Sequence, residues 1–108
     1  MKKKNPLQKN VVEFQKIQEQ LQGLHNEIDK LSKKKPDDGI NKFKLGFINE
    51  ILENANSILD EAYLPFKDFR IFNEDVIPTN SDVVVILAQY IAAFNRESDD
   101  NKFWLVDF

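Results

Sequence analysis

The chain has 108 residues, 42% of them hydrophobic and 31% charged, with one His, no Cys and a formal net charge of −3. That is apolar material for one small domain and too much for a chain that stays unfolded. Without Cys there is no disulfide framework, cysteine–zinc site or thiol nucleophile, and a single His excludes a multi-histidine metal site within one chain.

Charge is divided unevenly along the sequence. Residues 1–35 hold nine Lys and four acids, a balance of +5, whereas residues 36–108 hold six basic and fourteen acidic side chains, a balance of −8. An acidic body disfavours nucleic-acid binding, which needs several cations on one surface. The opening Met1-Lys2-Lys3-Lys4-Asn5-Pro6 has the basic front of an export signal, but Gln8, Lys9 and Asn10 come next, where an apolar run is required. Residues 1–6 therefore read as a flexible basic arm, and a cytoplasmic location is expected. The longest apolar run, residues 83–88, is far short of the ~20 residues that span a bilayer, so no membrane partner is expected.

The first predicted element is a helix over residues 7–34. Leu7, Phe14, Leu21 and Ile28 recur every seven residues, and Asn10, Ile17, Leu24 and Leu31 come three places after each. This alternating spacing puts one narrow apolar seam along a helix, as in a coiled coil, with Asn10 its single polar member. Lys33 to Lys35 suit the negative end of that helix. Pro36, Asp37, Asp38 and Gly39 make a stop and a turn, with Asp37 or Asp38 available to cap the next helix.

A second helix is predicted over residues 40–64. Ile40, Phe43, Phe47, Ile48, Ile51, Leu52, Ala55, Ile58, Leu59 and Ala62 form a broad stripe at the 3.6 period, and Pro65 ends it. Two helices of similar length joined by a short turn imply an antiparallel hairpin. Residues 65–79 form an aromatic connector in which Phe66, Phe69 and Phe72 lie three apart. Thr79 with Asp82 fits a capping box, opening a third helix over residues 81–96 that is apolar almost all round. The β-branched run at its start leaves a strand as the alternative for residues 83–87. Residues 97–101 read as a polar turn, and the tail 102–108, with Phe103, Trp104 and Phe108, reads as extended.

Few side chains offer chemistry. Glu50 with Glu53, and Glu97 with Asp100, have the spacing of helical carboxylates that hold Mg²⁺ in metal-dependent hydrolases. Asp68, Glu74, Asp75 and Asp82 crowd the connector without the spacing of a calcium loop. His25 sits at the seam's edge and lacks the Glu three residues earlier that a bundle metal site uses. Gly23, Gly39 and Gly46 are isolated, so no phosphate-cradling loop is present. Solvated acids, caps and surface helix positions account for these residues more simply, and no catalytic residue, metal or cofactor is expected.

The sequence therefore reads as an all-α domain: a long antiparallel helical hairpin plus a third buried helix, with a short extended C-terminal segment. A small, non-catalytic interaction or assembly protein is the expected function. A two-helix hairpin cannot enclose a third helix, so the aromatic connector, the C-terminal segment or a second chain must cover it. A homodimer burying the third helix or the first helix's seam is expected. Phe66, Phe69, Arg70, Phe72, Trp104 and Phe108 are the candidate partner-binding residues, since aromatic clusters anchor interfaces. The alternatives are a nucleic-acid-associated factor using the lysine-rich first helix and a metal-dependent hydrolase using Glu50 and Glu53.

Overall fold

The computed structural model describes residues 10–105, so the basic arm 1–6, the seam position Leu7 and the tail residues 106–108 lie outside the described residues. The fold is all-α. Helices α1 (Val11–Lys34), α2 (Lys42–Ile58) and α3 (Asn80–Asn101) are accompanied by 3₁₀ turns at Glu61–Tyr63 and Phe103–Leu105. Among the described residues there is no strand, only an isolated bridge between Gly39 and Thr79.

Caps and long-range bonds set the boundaries. Asn10, the polar member of the seam, is the N-cap of α1, its Oδ1 accepting the Glu13 N–H at 3.0 Å. Helix α2 begins later than predicted, at Lys42, capped by Asn41 and by neither Asp37 nor Asp38. The reason is Ile40, which is buried and donates its N–H to the Pro78 carbonyl at 2.9 Å, holding the chain out of the helix. Helix α2 also ends earlier than the predicted residue 64. The Asp60 N–H is captured by the carboxylate of Glu97, 2.8 Å away and 0% exposed, and Leu59 turns extended into the core.

Helix α3 starts with the predicted capping box, Asp82 N donating to Thr79 Oγ1 at 3.1 Å and Thr79 N to the Asp82 carboxylate at 3.4 Å. It then runs through the predicted polar turn. Glu97 and Ser98 continue the buried face of Ala93 and Phe94 by one turn, and the Asn101 side chain folds back to donate to the Glu97 carbonyl at 2.8 Å. Lys102 ends it in the left-handed region, φ 53°. The tail departs from an extended path: Phe103 to Leu105 make a 3₁₀ turn that puts the buried Phe103 ring 5.0 Å from Phe14.

Helix α1 lies between the other two and runs antiparallel to both. Lys44 of α2 reaches Glu27 at 3.8 Å, while Gln18 of α1 bonds Asn95 of α3 at 2.8 Å and the Phe14 and Phe94 rings are 4.6 Å apart. Its contact with α3 is the more extensive. Phe14, Ile17, Leu21 and Ile28 of the seam meet Leu45, Ile48 and Leu52 of α2 and Val83, Leu87, Tyr90 and Phe94 of α3 in one core. Most of both surfaces that the sequence offered to a second chain is thus covered within one chain, while Val85 of α3 and Leu31 of the seam stay exposed.

The cover comes from the connector. Helices α2 and α3 run parallel, so the chain must travel back along the bundle between them. It starts where Asp60 meets Glu97, passes Phe66 beside Tyr90 at 6.1 Å, and arrives where Pro78 meets Ile40. Two asparagines of α2, two turns apart, hold it. Asn49 is buried and both gives to and takes from the Phe72 backbone at 2.9 Å, imitating a strand pairing. Asn56 donates to the Arg70 carbonyl at 2.8 Å and accepts from the Tyr90 hydroxyl at 2.6 Å. At the far end the α1–α2 turn supplies acceptors for α3: Asn80 N donates to Asp38, Ser81 N to Pro36 and Asn80 Nδ2 to Lys35, at 2.9, 3.1 and 2.9 Å. The first amides of α3, orphans in an isolated helix, are thus satisfied.

Candidate functional site

The aromatic residues singled out by the sequence do not share one surface. Phe66, Phe69 and Phe72 form an edge-to-face ladder, with ring centres 5.7 and 5.1 Å apart, partly buried against the core. Spacings of this kind are favourable for the ring quadrupoles, and here they serve the fold. Arg70 is exposed on the same segment. Trp104 is 61% exposed in the C-terminal 3₁₀ turn, and among the described residues no ring contact joins it to the ladder. Phe108 lies outside the described residues.

The candidate polar groups are dispersed as well. Glu50 and Glu53 stand exposed on α2, whereas Glu97 is buried and engaged with Asp60, and Asp100 accepts from the Tyr63 hydroxyl at 2.7 Å. Among the described residues no group of three His, Asp or Glu side chains is arranged to hold a metal ion. Asp82 serves the capping box, and Asp75 donates its N–H to Asn73 Oδ1 at 2.9 Å in a local turn. His25 is half-buried, and its Nδ1 is buried with no hydrogen-bond partner. Burial pushes the Tyr90 phenol above its ordinary value of 10.0, against smaller opposing effects of the Asn56 hydrogen bond and the Arg70 charge. At the lysine-rich end of α1, Lys33 is ion-paired with Asp29 at 3.3 Å, and Lys44 of α2 reaches Glu27 at 3.8 Å.

The surface that stands out is one the sequence placed in the core. Leu45, Ile48, Leu52 and Ala55 occupy the inward arc of α2, and Phe43 and Phe47 fall on the opposite side. Phe43 is 75% and Phe47 49% exposed, and their rings meet edge to face at 4.9 Å. A shallow depression of about 330 Å³ runs beside them, lined by Lys42, Phe43, Gly46, Phe47 and Glu50. A second, of about 260 Å³, lies between Glu13 and Ile17 of α1 and Asn54, Ser57 and Ile58 of α2. Leu31, one turn beyond Glu27 on α1, is a further exposed apolar residue. The signal in the sequence is the width of the α2 stripe: positions 43 and 47 share their arc with Gly46, Glu50 and Asn54, not with Leu45 and Leu52.

Comparison with family models, with curated proteins and with solved structures finds no match to this chain. Among the described residues, no helix is long and apolar enough to cross a membrane.

Proposed function

We propose that this protein is a non-catalytic assembly module of the cytoplasm that docks another protein chain on the outer face of α2. The observation that carries this reading is the Phe43–Phe47 pair, two large rings held in water on a rigid helix whose other face is firmly packed. Interfaces draw their energy from a few such aromatic anchors rimmed by polar groups, and Lys42, Glu50 and Asn54 supply that rim. The connector aromatics, the sequence's own candidates for this role, are engaged in covering α2 and α3. Glu97 is buried against Asp60 and Asp100 is bonded to Tyr63, so neither joins the exposed Glu50 and Glu53.

The test is a photo-crosslinking residue placed at Phe47, with Val85, an exposed apolar position on α3, as the control. In the native host, position 47 is expected to capture a protein and position 85 is not. Absence of any adduct at 47, or equal capture at both sites, overturns the reading.

A further inference from the structure

We infer that Asp38–Gly39 is a site of spontaneous backbone rearrangement, where Asp38 converts through a cyclic imide to isoaspartate and the start of α3 loses part of its hold on the hairpin bend.

The chemistry needs an aspartate followed by an unhindered amide. The Gly39 nitrogen attacks Cγ of the Asp38 carboxyl group. A C–N bond forms, the carboxyl oxygen leaves as water with the amide proton, and a five-membered imide closes. Water then adds at either imide carbonyl. Opening on one side restores aspartate. Opening on the other leaves the main chain running through Cγ, one methylene longer, with the former main-chain carbonyl released as a carboxylate. One water leaves and one returns, so the net reaction is an isomerisation without change of mass or charge.

Three observations single out this pair. Both residues are exposed in the bend that follows Pro36. Next, among the described residues the Gly39 N–H donates no hydrogen bond. The bridge to Thr79 is made by its neighbours, Asn80 N donating to the Asp38 carbonyl and Ile40 N to the Pro78 carbonyl, each at 2.9 Å. The attacking nitrogen is thus not held by an acceptor. Last, a Cβ at Gly39 would stand 3.0 Å from Ile77 Cγ2. The packing that keeps a side chain out of position 39 also leaves its nitrogen without the steric shield that any other residue would provide. Gly23 and Gly46 follow Gln22 and Leu45, so no other Asp or Asn in the chain has a glycine after it.

The consequence follows from which carbonyl is rearranged. The Asp38 carbonyl is the acceptor for Asn80 N, beside the bonds from Ser81 N to Pro36 and from Asn80 Nδ2 to Lys35. An extra methylene between the Asp38 acceptor and the Ile40 donor puts the two out of register with Asn80 and Pro78. The opening amides of α3 then lose an acceptor, and the buried Ile40 loses its anchor.

The test ages the full chain in neutral buffer for several weeks. Isoaspartate is read by enzymatic methylation of its free carboxylate and placed by peptide mapping. Wild type is expected to accumulate isoaspartate chiefly at position 38. The aged protein is expected to lose about 5 °C of thermal midpoint, the effect of one or two hydrogen bonds in a domain of this size, with faster amide exchange at Asn80 and Ser81. Asp38→Glu uses the same main-chain carbonyl, but its imide ring would have six members and closes far more slowly. It is expected to stay unmethylated at position 38 and to keep its midpoint through the same ageing. Asp38→Asn, which releases ammonia in the ring closure in place of water, is expected to convert faster than wild type. No isoaspartate at position 38 of wild type overturns the inference. So does conversion that leaves the midpoint and the exchange of Asn80 and Ser81 unchanged, or an aged Asp38→Glu that loses as much midpoint as wild type.

Discussion

Two sets of phenylalanines in this protein have similar spacing and opposite fates. Phe66, Phe69 and Phe72 lie on an irregular connector and are drawn inward, whereas Phe43 and Phe47 lie on a regular helix and are turned out. A connector can bend to bring its rings to a groove. A helix cannot, because the arc that carries Leu45, Ile48 and Leu52 fixes where every other position points. Aromatic content therefore measures how much surface wants cover, and topology decides which part finds it within the chain.

The sharpest way to break this comparison is to truncate one ring from each set. Phe69→Ala is expected to cost about 3 kcal/mol in chemical denaturation, as removal of a packed aromatic ring does, and Phe43→Ala to stay within about 0.5 kcal/mol. Equal costs would mean that the two sets are not distinct. Next in size is Asn49→Ala. It leaves the Phe72 N–H and carbonyl without their partner in a part-buried setting, and a loss of about 2 kcal/mol is expected. A negligible loss would show that the connector is held by its rings alone.

A third measurement uses pH. The Tyr90 phenol titrates higher in the folded chain than unfolded, so folding favours its protonated form. Its contribution is fully present below pH 10.0 and declines as pH rises through the folded value. Tyr90→Phe is expected to remove that alkaline decline while lowering stability at neutral pH through the loss of the bond to Asn56. An unchanged alkaline slope would place the titrating group elsewhere. The smallest effect concerns the connector's far end. A Cβ at Gly39 would stand 3.0 Å from Ile77 Cγ2, so Gly39→Ala is expected to lower stability by about 0.5 kcal/mol and Ile77→Ala to relieve it in the double variant.

The features legible in the sequence are the local ones. The apolar stripe of α1 at Phe14, Ile17, Leu21 and Ile28, its lysine-rich end, the stop at Pro36 and the Thr79–Asp82 capping box each depend on residues within a turn or two, and each is found in place. The ends of α2 and α3 were not legible. They are set by a bond between Asp60 and Glu97 and by a buried extension of the α3 face, which join segments far apart in sequence. The exposure of Phe43 and Phe47 was only half legible, from the width of the α2 stripe. Periodicity places Phe43 and Phe47 on a stripe with Ile51, but only the neighbours of α2 decide which arc of that stripe faces inward.

The bonds from Asn80 and Ser81 to Asp38 and Pro36 also bear on the order in which the molecule assembles. Starting a helix is its steepest step, because several residues must be fixed before the first internal bond forms. Here the acceptors that ease that step are carbonyls of the hairpin bend, more than forty positions upstream. The first two rods thus act as a template for the third. Synthesis from the N-terminus makes that template before the segment that needs it, so vectorial emergence and the folding sequence run in the same direction.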